Sequence, residues 1–168
     1  MSLRAKKLTE ATVNRQVEEA LEAMGLSDLR KDYPRLLSFG QKRRLGVAAA
    51  LALNPRTLIL DEITNGQDAL EKVRMMEYLK AINEKKGITI VLISHDMDIV
   101  RRYAKRAIVL HQGKKVYDGA PNILFDGKHP VELWGLRAPV VASLAASLGV
   151  EAATAKEFCN ALTRKAGE

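Results

Sequence analysis

The sequence predicts an α/β fold in which helices flank a mostly parallel sheet. Two short apolar runs, residues 57–60 and 88–93, have the length and composition of buried strands, and we expect the first to be covered on both faces. Residues 69–85 between them form a predicted amphipathic helix. Its predicted inner face consists of Val73, Met76, Leu79 and Ile82. A strand, a helix and a second strand make a right-handed crossover, which implies that the strands are parallel.

Composition fits one modest, soluble domain. The chain has 168 residues, 47% of them hydrophobic, and a formal net charge of +7 that is scattered along the sequence. The densest basic group, Lys42-Arg43-Arg44, is expected to be a solvated helix face. The single cysteine, Cys159, excludes an internal disulfide framework. No window approaches the roughly twenty apolar residues of a membrane-spanning helix, and no signal-peptide core is present.

The first helix is predicted over residues 13–24. Its apolar side chains recur at helical spacing, Thr12 is a candidate N-cap, and Gly25 suits its end. Tyr33-Pro34 then disfavours helix and predicts a loop.

A second helix is predicted from Gln41 up to Asn54-Pro55, because this stretch is rich in Ala and Leu and ends before a proline. Gly46 lies inside it, where glycine costs about 1 kcal/mol relative to alanine. We therefore expect Gly46 to mark the close approach of a neighbouring element. Core packing is expected for Leu45, Ala48, Ala49 and Leu51.

Beyond the second strand, a short helix is predicted over residues 97–103 and a hairpin of two strands over residues 107–118. His111-Gln112-Gly113-Lys114 forms its tight reversal. Helices are predicted over residues 139–148 and after Thr154, which opens a capping box. His111 and His129 have no motif around them and are assigned no function.

Four motifs, in this order, resemble the second half of an ATP-binding-cassette (ABC) ATPase domain. Leu37-Ser38-Phe39-Gly40-Gln41 is similar to the signature motif of that family. Residues 57–62 resemble its Walker B strand with the adjoining carboxylate, and residues 63–68 resemble its D-loop. Ile93-Ser94-His95-Asp96 resembles the strand with the switch histidine.

The resemblance implies a partial P-loop NTPase fold of the ABC ATPase type in three segments. Residues 1–54 would form a helical subdomain with the signature, residues 55–119 the C-terminal part of the ATPase core, and residues 120–168 a helical appendix after the hairpin. No G-x-x-x-x-G-K-[S/T] sequence occurs, so the Walker A loop that cradles phosphates is missing. In the family this loop precedes the signature, and the chain therefore resembles a cassette without its first half.

The C-terminal stretch narrows the resemblance to ATPases of energy-coupling-factor importers and of cobalt or nickel importers. GAPNILF and LRAPVVASLAASLGV follow the hairpin, and Gln67 and the basic run after the signature agree with this assignment. Two residues depart from the family pattern: Phe39 replaces a glycine, and Ile63 replaces a proline. Phe39 would alter how closely the backbone approaches a phosphate, whereas Ile63 mainly changes the stiffness of the loop.

The resemblance assigns roles to these residues. Asp61 would hold Mg²⁺, Glu62 would orient or deprotonate the attacking water, and His95 would contact the γ-phosphate of ATP. The signature residues would bind ATP held by the P-loop of a second subunit, and Asp68 would bridge the two subunits. That Asp61 and Glu62 merely cap the next turn is the less favoured interpretation, because the signature lies upstream and the histidine downstream.

The resemblance therefore implies part of an ATPase subunit that couples ATP hydrolysis to import of a metal ion or a vitamin-like solute. Its expected partners are a second ATPase subunit and transmembrane subunits, on the cytoplasmic face of the membrane, without nucleic acid. One alternative is the C-terminal lobe of a chromosome-maintenance or DNA-repair ATPase, which suits the positive charge but calls for a long coiled coil before the signature. Another is a non-catalytic regulatory module.

We predict that this chain alone hydrolyses no ATP and binds it weakly, because it has no P-loop to hold the phosphates. Isothermal titration with Mg-ATP, combined with a phosphate-release assay, checks this. Micromolar affinity together with turnover would show that other residues replace the P-loop.

Overall fold

The computed structural model describes residues 8–150, 152 and 155–166. The chain divides into two compact units, one that ends at Ile93 and one that begins at Ser94. The three segments predicted from the sequence, with boundaries after residues 54 and 119, stay a prediction.

The first unit contains helices packed with a two-stranded parallel sheet. Its elements are α1 (Glu10–Ala23), α2 (Phe39–Leu51), β1 (Thr57–Asp61), α3 (Ala69–Lys86) and β2 (Thr89–Ile93), with 3₁₀ turns at Ser27–Leu29 and Pro34–Leu36. The strands pair in register from Thr57 opposite Thr89 to Asp61 opposite Ile93. The α/β class and the parallel crossover are therefore confirmed.

Side-chain caps set the starts of the first two helices earlier than the hydrophobic pattern predicted. The Thr9 hydroxyl accepts a hydrogen bond from the Thr12 backbone N–H, so α1 begins at Glu10. Ser38 caps α2 in the same way, so this helix begins at Phe39 rather than Gln41. A cap satisfies N–H groups that have no partner within the helix, and it fixes the first turn independently of the apolar face.

The buried faces of α2 and α3 differ in part from the prediction. In α2, Val47 is buried while Ala49 is exposed and Leu45 is half-buried. In α3, Met75 is fully buried and Val73 only half-buried. At Gly46 no described atom lies within 4 Å of the position a Cβ would occupy, so the expected close approach is absent from the described chain.

The sheet of the first unit has one covered face and one bare face. Leu58 and Leu60 of β1 are buried, but Ile59 between them is 66% exposed. Val91, which pairs with Ile59, and Ile93 are exposed as well. The expectation that β1 is covered on both faces is therefore wrong for the described residues, because only the side of the strand that carries Leu58 and Leu60 is buried.

The second unit is built around a hairpin. Its elements are α4 (Met97–Tyr103), β3 (Ala107–His111), β4 (Lys114–Gly119), α5 (Pro121–Leu124), a 3₁₀ turn (Val131–Trp134), α6 (Val140–Leu148) and α7 (Ala155–Ala166). The strands are antiparallel, and the reversal at Gln112-Gly113 has both residues at positive φ, as predicted for a tight two-residue turn. The predicted cap of α7, Thr154, lies outside the described residues.

Buried side chains from the hairpin and the helices that follow it form the core of the second unit. They are Ala107, Val109, Leu124, Phe125, Val131 and Ala142. His129 packs edge-on against Tyr117, with ring centroids 5.0 Å apart, which supports a structural role. At the hairpin, hydrogen bonds from Arg106 and Lys115 hold the pKa of Asp118 well below its usual range.

Within the described residues, no helix combines the length and apolar character needed to cross a membrane.

We predict that this chain self-associates at micromolar concentration through the bare sheet face. Burying a few hundred Å² of apolar surface, at about 25 cal/mol per Å², would stabilise an assembly by several kcal/mol. Replacing Ile59 by Asn should weaken the association without unfolding the chain, because this side chain is mostly exposed. Sedimentation equilibrium over a dilution series measures both effects.

Leu70→Asn serves as the control, since Leu70 is also exposed but lies on α3 rather than on the sheet. A compact monomer at all concentrations would contradict the prediction. If both substitutions weakened the association equally, the contact between chains would not be specific to the bare sheet face.

Candidate functional site

The turn at Leu37–Gln41, here called the signature turn, is closed by a reciprocal pair of hydrogen bonds. The Ser38 Oγ accepts from the Gln41 backbone N–H at 3.2 Å, and the Gln41 Oε1 accepts from the Ser38 N–H at 2.7 Å. This capping box forms the N-terminus of α2. Of the residues on either side of Ser38, Leu37 is buried and Phe39 is exposed. The positive end of the α2 dipole therefore lies at a short turn, a setting that favours an anion.

Position 40 requires a glycine because an ion pair occupies the space that a side chain would fill. A Cβ at Gly40 would lie 2.6 Å from the Glu71 Oε2. That oxygen accepts a hydrogen bond from the Arg44 Nη1 at 2.6 Å, and the other carboxylate oxygen accepts from the Arg74 Nη1 at 3.0 Å. The side chain of Arg44 is only 10% exposed. The signature helix α2 is thus tied to α3 by a mostly buried charge pair.

Asp68, at the end of the predicted D-loop, is the N-cap of α3. Its Oδ1 accepts a hydrogen bond from the Glu71 backbone N–H at 2.8 Å. Its neighbour Gln67 is half-buried, and the structure gives the two polar atoms of that side chain no hydrogen-bond partner among the described residues. The D-loop therefore ends in a fixed helix start at Asp68.

Arg43 connects α2 to the end of β1. Its Nη1 donates to the Glu62 carbonyl oxygen at 3.0 Å and to the Ile63 carbonyl oxygen at 2.7 Å. Its guanidinium carbon also lies 4.7 Å from the centroid of the Phe39 ring. The prediction that residues 42–44 are a solvated helix face is wrong for Arg43 and Arg44 and holds only for Lys42, which is exposed.

The two carboxylates after β1 have different backbone settings. Asp61 is exposed and pairs with Ile93 at the carboxyl end of the sheet. Glu62 is half-buried and has a φ of 48°, in the left-handed region that costs a non-glycine residue on the order of 1 kcal/mol. Its backbone N–H donates to the Ile93 carbonyl oxygen at 2.9 Å. The first unit thus brings Glu62 and the signature helix together through Arg43.

His95 is exposed and belongs to the second unit. The residues on either side of it shape the start of α4. The Ser94 Oγ accepts from the Asp96 backbone N–H at 3.0 Å, and the Asp96 Oδ1 accepts from the Ile99 N–H at 3.3 Å. His95 therefore lies immediately before Asp96, the N-cap of α4.

The residues fit Mg²⁺ only as part of a larger site. The described residues contain no group of three or more His, Cys, Asp or Glu side chains that could hold a metal ion. Mg²⁺ with a nucleotide takes one or two protein carboxylates, while water and phosphate oxygens complete its octahedron. The exposed carboxylate of Asp61 fits that limited share.

Sequence reasoning missed Arg43, Arg44 and Glu71 as residues that hold the site together. A run of basic residues has the same sequence whether its side chains are solvated or form ion pairs. The one sequence feature that could have indicated an ion-pair partner was Glu71, in the first turn of the helix that Asp68 caps.

Known proteins match this chain over most of its length. The family model described as ABC transporter matches residues 2–65. A putative ABC transporter ATP-binding protein of Photobacterium profundum is 42% identical over 89% of this chain and 26% of its own length. The energy-coupling factor transporter ATP-binding protein EcfA1 of Clostridium perfringens is 39% identical over 83% of this chain and 49% of its own length.

A solved structure gives the same result in three dimensions. CbiO1 from Clostridium perfringens, described as part of the ABC transporter complex CbiONQ, superposes with a TM-score of 0.69 and 34% identity. The match covers 82% of this chain and 55% of that chain. This chain spans about a quarter of the Photobacterium protein and about half of EcfA1.

We predict opposite effects for two alanine substitutions in α2. Gly40→Ala should destabilise the chain by about 1–3 kcal/mol, because the new methyl group displaces the Glu71 carboxylate from Arg44 and leaves that charge poorly paired. Gly46→Ala should stabilise it by about 0.5–1 kcal/mol, since it lowers the entropy cost of the helix and meets no described atom. Urea unfolding at one fixed protein concentration measures both.

The pair is internally controlled, because the chemical change and the helix are the same. Stabilisation by both substitutions would show that Glu71 moves aside at no cost.

Proposed function

Because this chain belongs to the ABC transporter ATP-binding family, we propose that it supplies the signature, Walker B and D-loop part of an ATPase that drives solute import. One observation carries the proposal. Arg43 of α2 donates to the backbone carbonyl oxygens of Glu62 and Ile63, so the helix that begins at the signature turn is joined within one unit to the turn that carries Glu62. This arrangement supports a site in which water activation and anion binding are built on the same rigid elements.

In this proposal the carboxylates after β1 divide the work. Asp61, exposed at the sheet end, would hold Mg²⁺, which when bound neutralises charge on the phosphates of ATP. Glu62 would orient the attacking water and accept its proton. His95 would contact the γ-phosphate. The loop that cradles the phosphates must come from outside these 168 residues, since the sequence has no P-loop.

The signature turn and the D-loop would serve a second ATPase subunit. Gly40 itself is buried beside the Glu71 carboxylate, so the proposed contact rests on the N-terminal turn of α2 as a whole, where the helix dipole favours phosphate held by the partner's P-loop. Ser38 would add its hydroxyl, with Leu37, Phe39 and Gln41 framing the turn. Asp68, at the D-loop end, would contact the partner subunit. One copy of this chain would therefore contribute to two composite sites.

The names of two relatives support a transporter, since EcfA1 is named for an energy-coupling factor transporter and CbiO1 for a transporter complex. We propose that the cargo is an imported metal ion or vitamin-like solute, as the resemblance of the C-terminal stretch implies. The proposed partners are a second ATPase subunit and transmembrane subunits, with this chain on the cytoplasmic face of the membrane. A chromosome-maintenance ATPase lobe is less favoured, because the relatives named above are transporter proteins.

We predict that Glu62→Gln removes most ATP hydrolysis and leaves nucleotide binding intact. The amide keeps the shape of the side chain but cannot take a proton, and loss of a general base costs about 10²-fold or more. The test is a chimaera in which this chain replaces the matching part of EcfA1, which supplies the remaining half. Steady-state phosphate release and titration with a nucleotide analogue measure the two properties.

Glu84→Gln is the matched control, because it makes the same change from carboxylate to amide at an exposed position of α3. An active chimaera with unchanged turnover in the Glu62 variant would reassign Glu62 to structure. A chimaera that folds, binds ATP and never hydrolyses it would favour the regulatory module.

A further inference from the structure

We propose that Arg43 is a positioning residue that sets the backbone of Glu62 from the signature helix. Its catalytic meaning rests on the function proposed above. One guanidinium binds two consecutive backbone carbonyl groups, and the first of them belongs to the proposed water-activating residue.

The contact is specific in its geometry. A guanidinium NH₂ group carries two hydrogens, and the Arg43 Nη1 uses them on the carbonyl oxygens of Glu62 and Ile63 at 3.0 Å and 2.7 Å. Both bonds have a charged donor, which makes them stronger than bonds between neutral groups. Arg43 is only half-buried, yet its contacts go to main chain across 19 and 20 residues of sequence. A solvated helix face makes no such contacts.

Glu62 needs this support because its conformation is unfavourable by itself. At φ 48° its side chain is crowded against its own backbone, and such residues persist only when their surroundings fix them. The Glu62 N–H donates to the Ile93 carbonyl oxygen at 2.9 Å, and the Asn65 N–H donates to the Glu62 carbonyl oxygen at 3.1 Å. Those two bonds come from β2 and from the turn itself, whereas the bond from Arg43 to the Glu62 carbonyl oxygen comes from α2.

Phe39 completes the arrangement. Its ring lies 4.7 Å from the Arg43 guanidinium carbon, within the range of a cation–π contact. The same ring would be 3.9 Å from a Cβ at Gly66, so it covers the loop that follows Glu62. The side chain that departs from the family pattern in the signature is thus the one that holds the guanidinium in place. The start of α2 and the Glu62 turn are therefore linked by the hydrogen bonds of Arg43 and by its contact with the Phe39 ring.

The test is site-resolved hydrogen exchange on the full 168-residue chain. Arg43→Met should speed exchange of the Glu62 and Asn65 amides about tenfold, because two charge-assisted bonds are lost, and leave core amides of α3 such as Leu79 unchanged. Arg43→Lys, which keeps the charge but not the planar NH₂ group, should give an intermediate change. Phe39→Leu should shift the same amides by a smaller factor.

Lys42→Met is the control, since it removes the adjacent exposed charge from the same helix. Unchanged exchange at Glu62 in Arg43→Met overturns the proposal, as does faster exchange across α3, which would mean general loss of structure.

The EcfA1 chimaera tests the catalytic meaning separately. Arg43→Met should lower kcat for ATP about tenfold with KM unchanged, whereas Lys42→Met should change neither. An inactive chimaera without substitutions would count against the proposed function and leave the exchange result to decide the role of Arg43. Faster exchange at Glu62 with unaltered kcat would overturn the catalytic role.

Discussion

The buried ion pair between Arg44 and Glu71 fixes the first unit. It joins α2 to α3 at 2.6 Å with side chains only 10% and 24% exposed, so the two helices hold each other through charges that have lost much of their water. Removing one partner of such a pair costs about 3–5 kcal/mol, because the other is left unpaired. The pair also reserves the space beside Gly40. Because the Glu71 backbone N–H also donates to Asp68, the signature turn, the start of α3 and the end of the D-loop are connected through this pair.

Polar residues of the predicted motifs also have local structural roles in this fold. Ser38 and Gln41 cap α2, Asp68 caps α3, and Asp96 caps α4. The coincidence has a physical cause. A helix N-terminus presents N–H groups without partners, so the position that needs a capping oxygen is also the position where an anion binds well. Residues at these turns would therefore serve both stability and phosphate binding, and mutations there affect both.

Local patterns in the sequence predicted most of the fold, and the match to CbiO1 supports the partial cassette fold that the motifs indicated. The bounds of α4 and the hairpin turn at Gln112-Gly113 followed from spacing and turn chemistry. The bare face at Ile59 and the partners of Arg43 did not, because cover and pairing depend on residues far away in sequence. The residues named for the site were predicted by motif order, while the contacts that hold them required coordinates.

The left-handed backbone of Glu62 has a consequence for how this position can vary. Of the three non-glycine residues at positive φ in the described chain, Asn54 is of a type that tolerates this region, and Gln112 lies in a hairpin turn. Glu62 is not of such a residue type, and it lies at the first position of the turn closed by the Asn65 N–H rather than in the middle of a hairpin reversal. Glycine there would relieve backbone strain but lose the carboxylate. Selection for thermal robustness and selection for chemistry thus pull this position in opposite directions, the usual mark of a stability and activity trade-off.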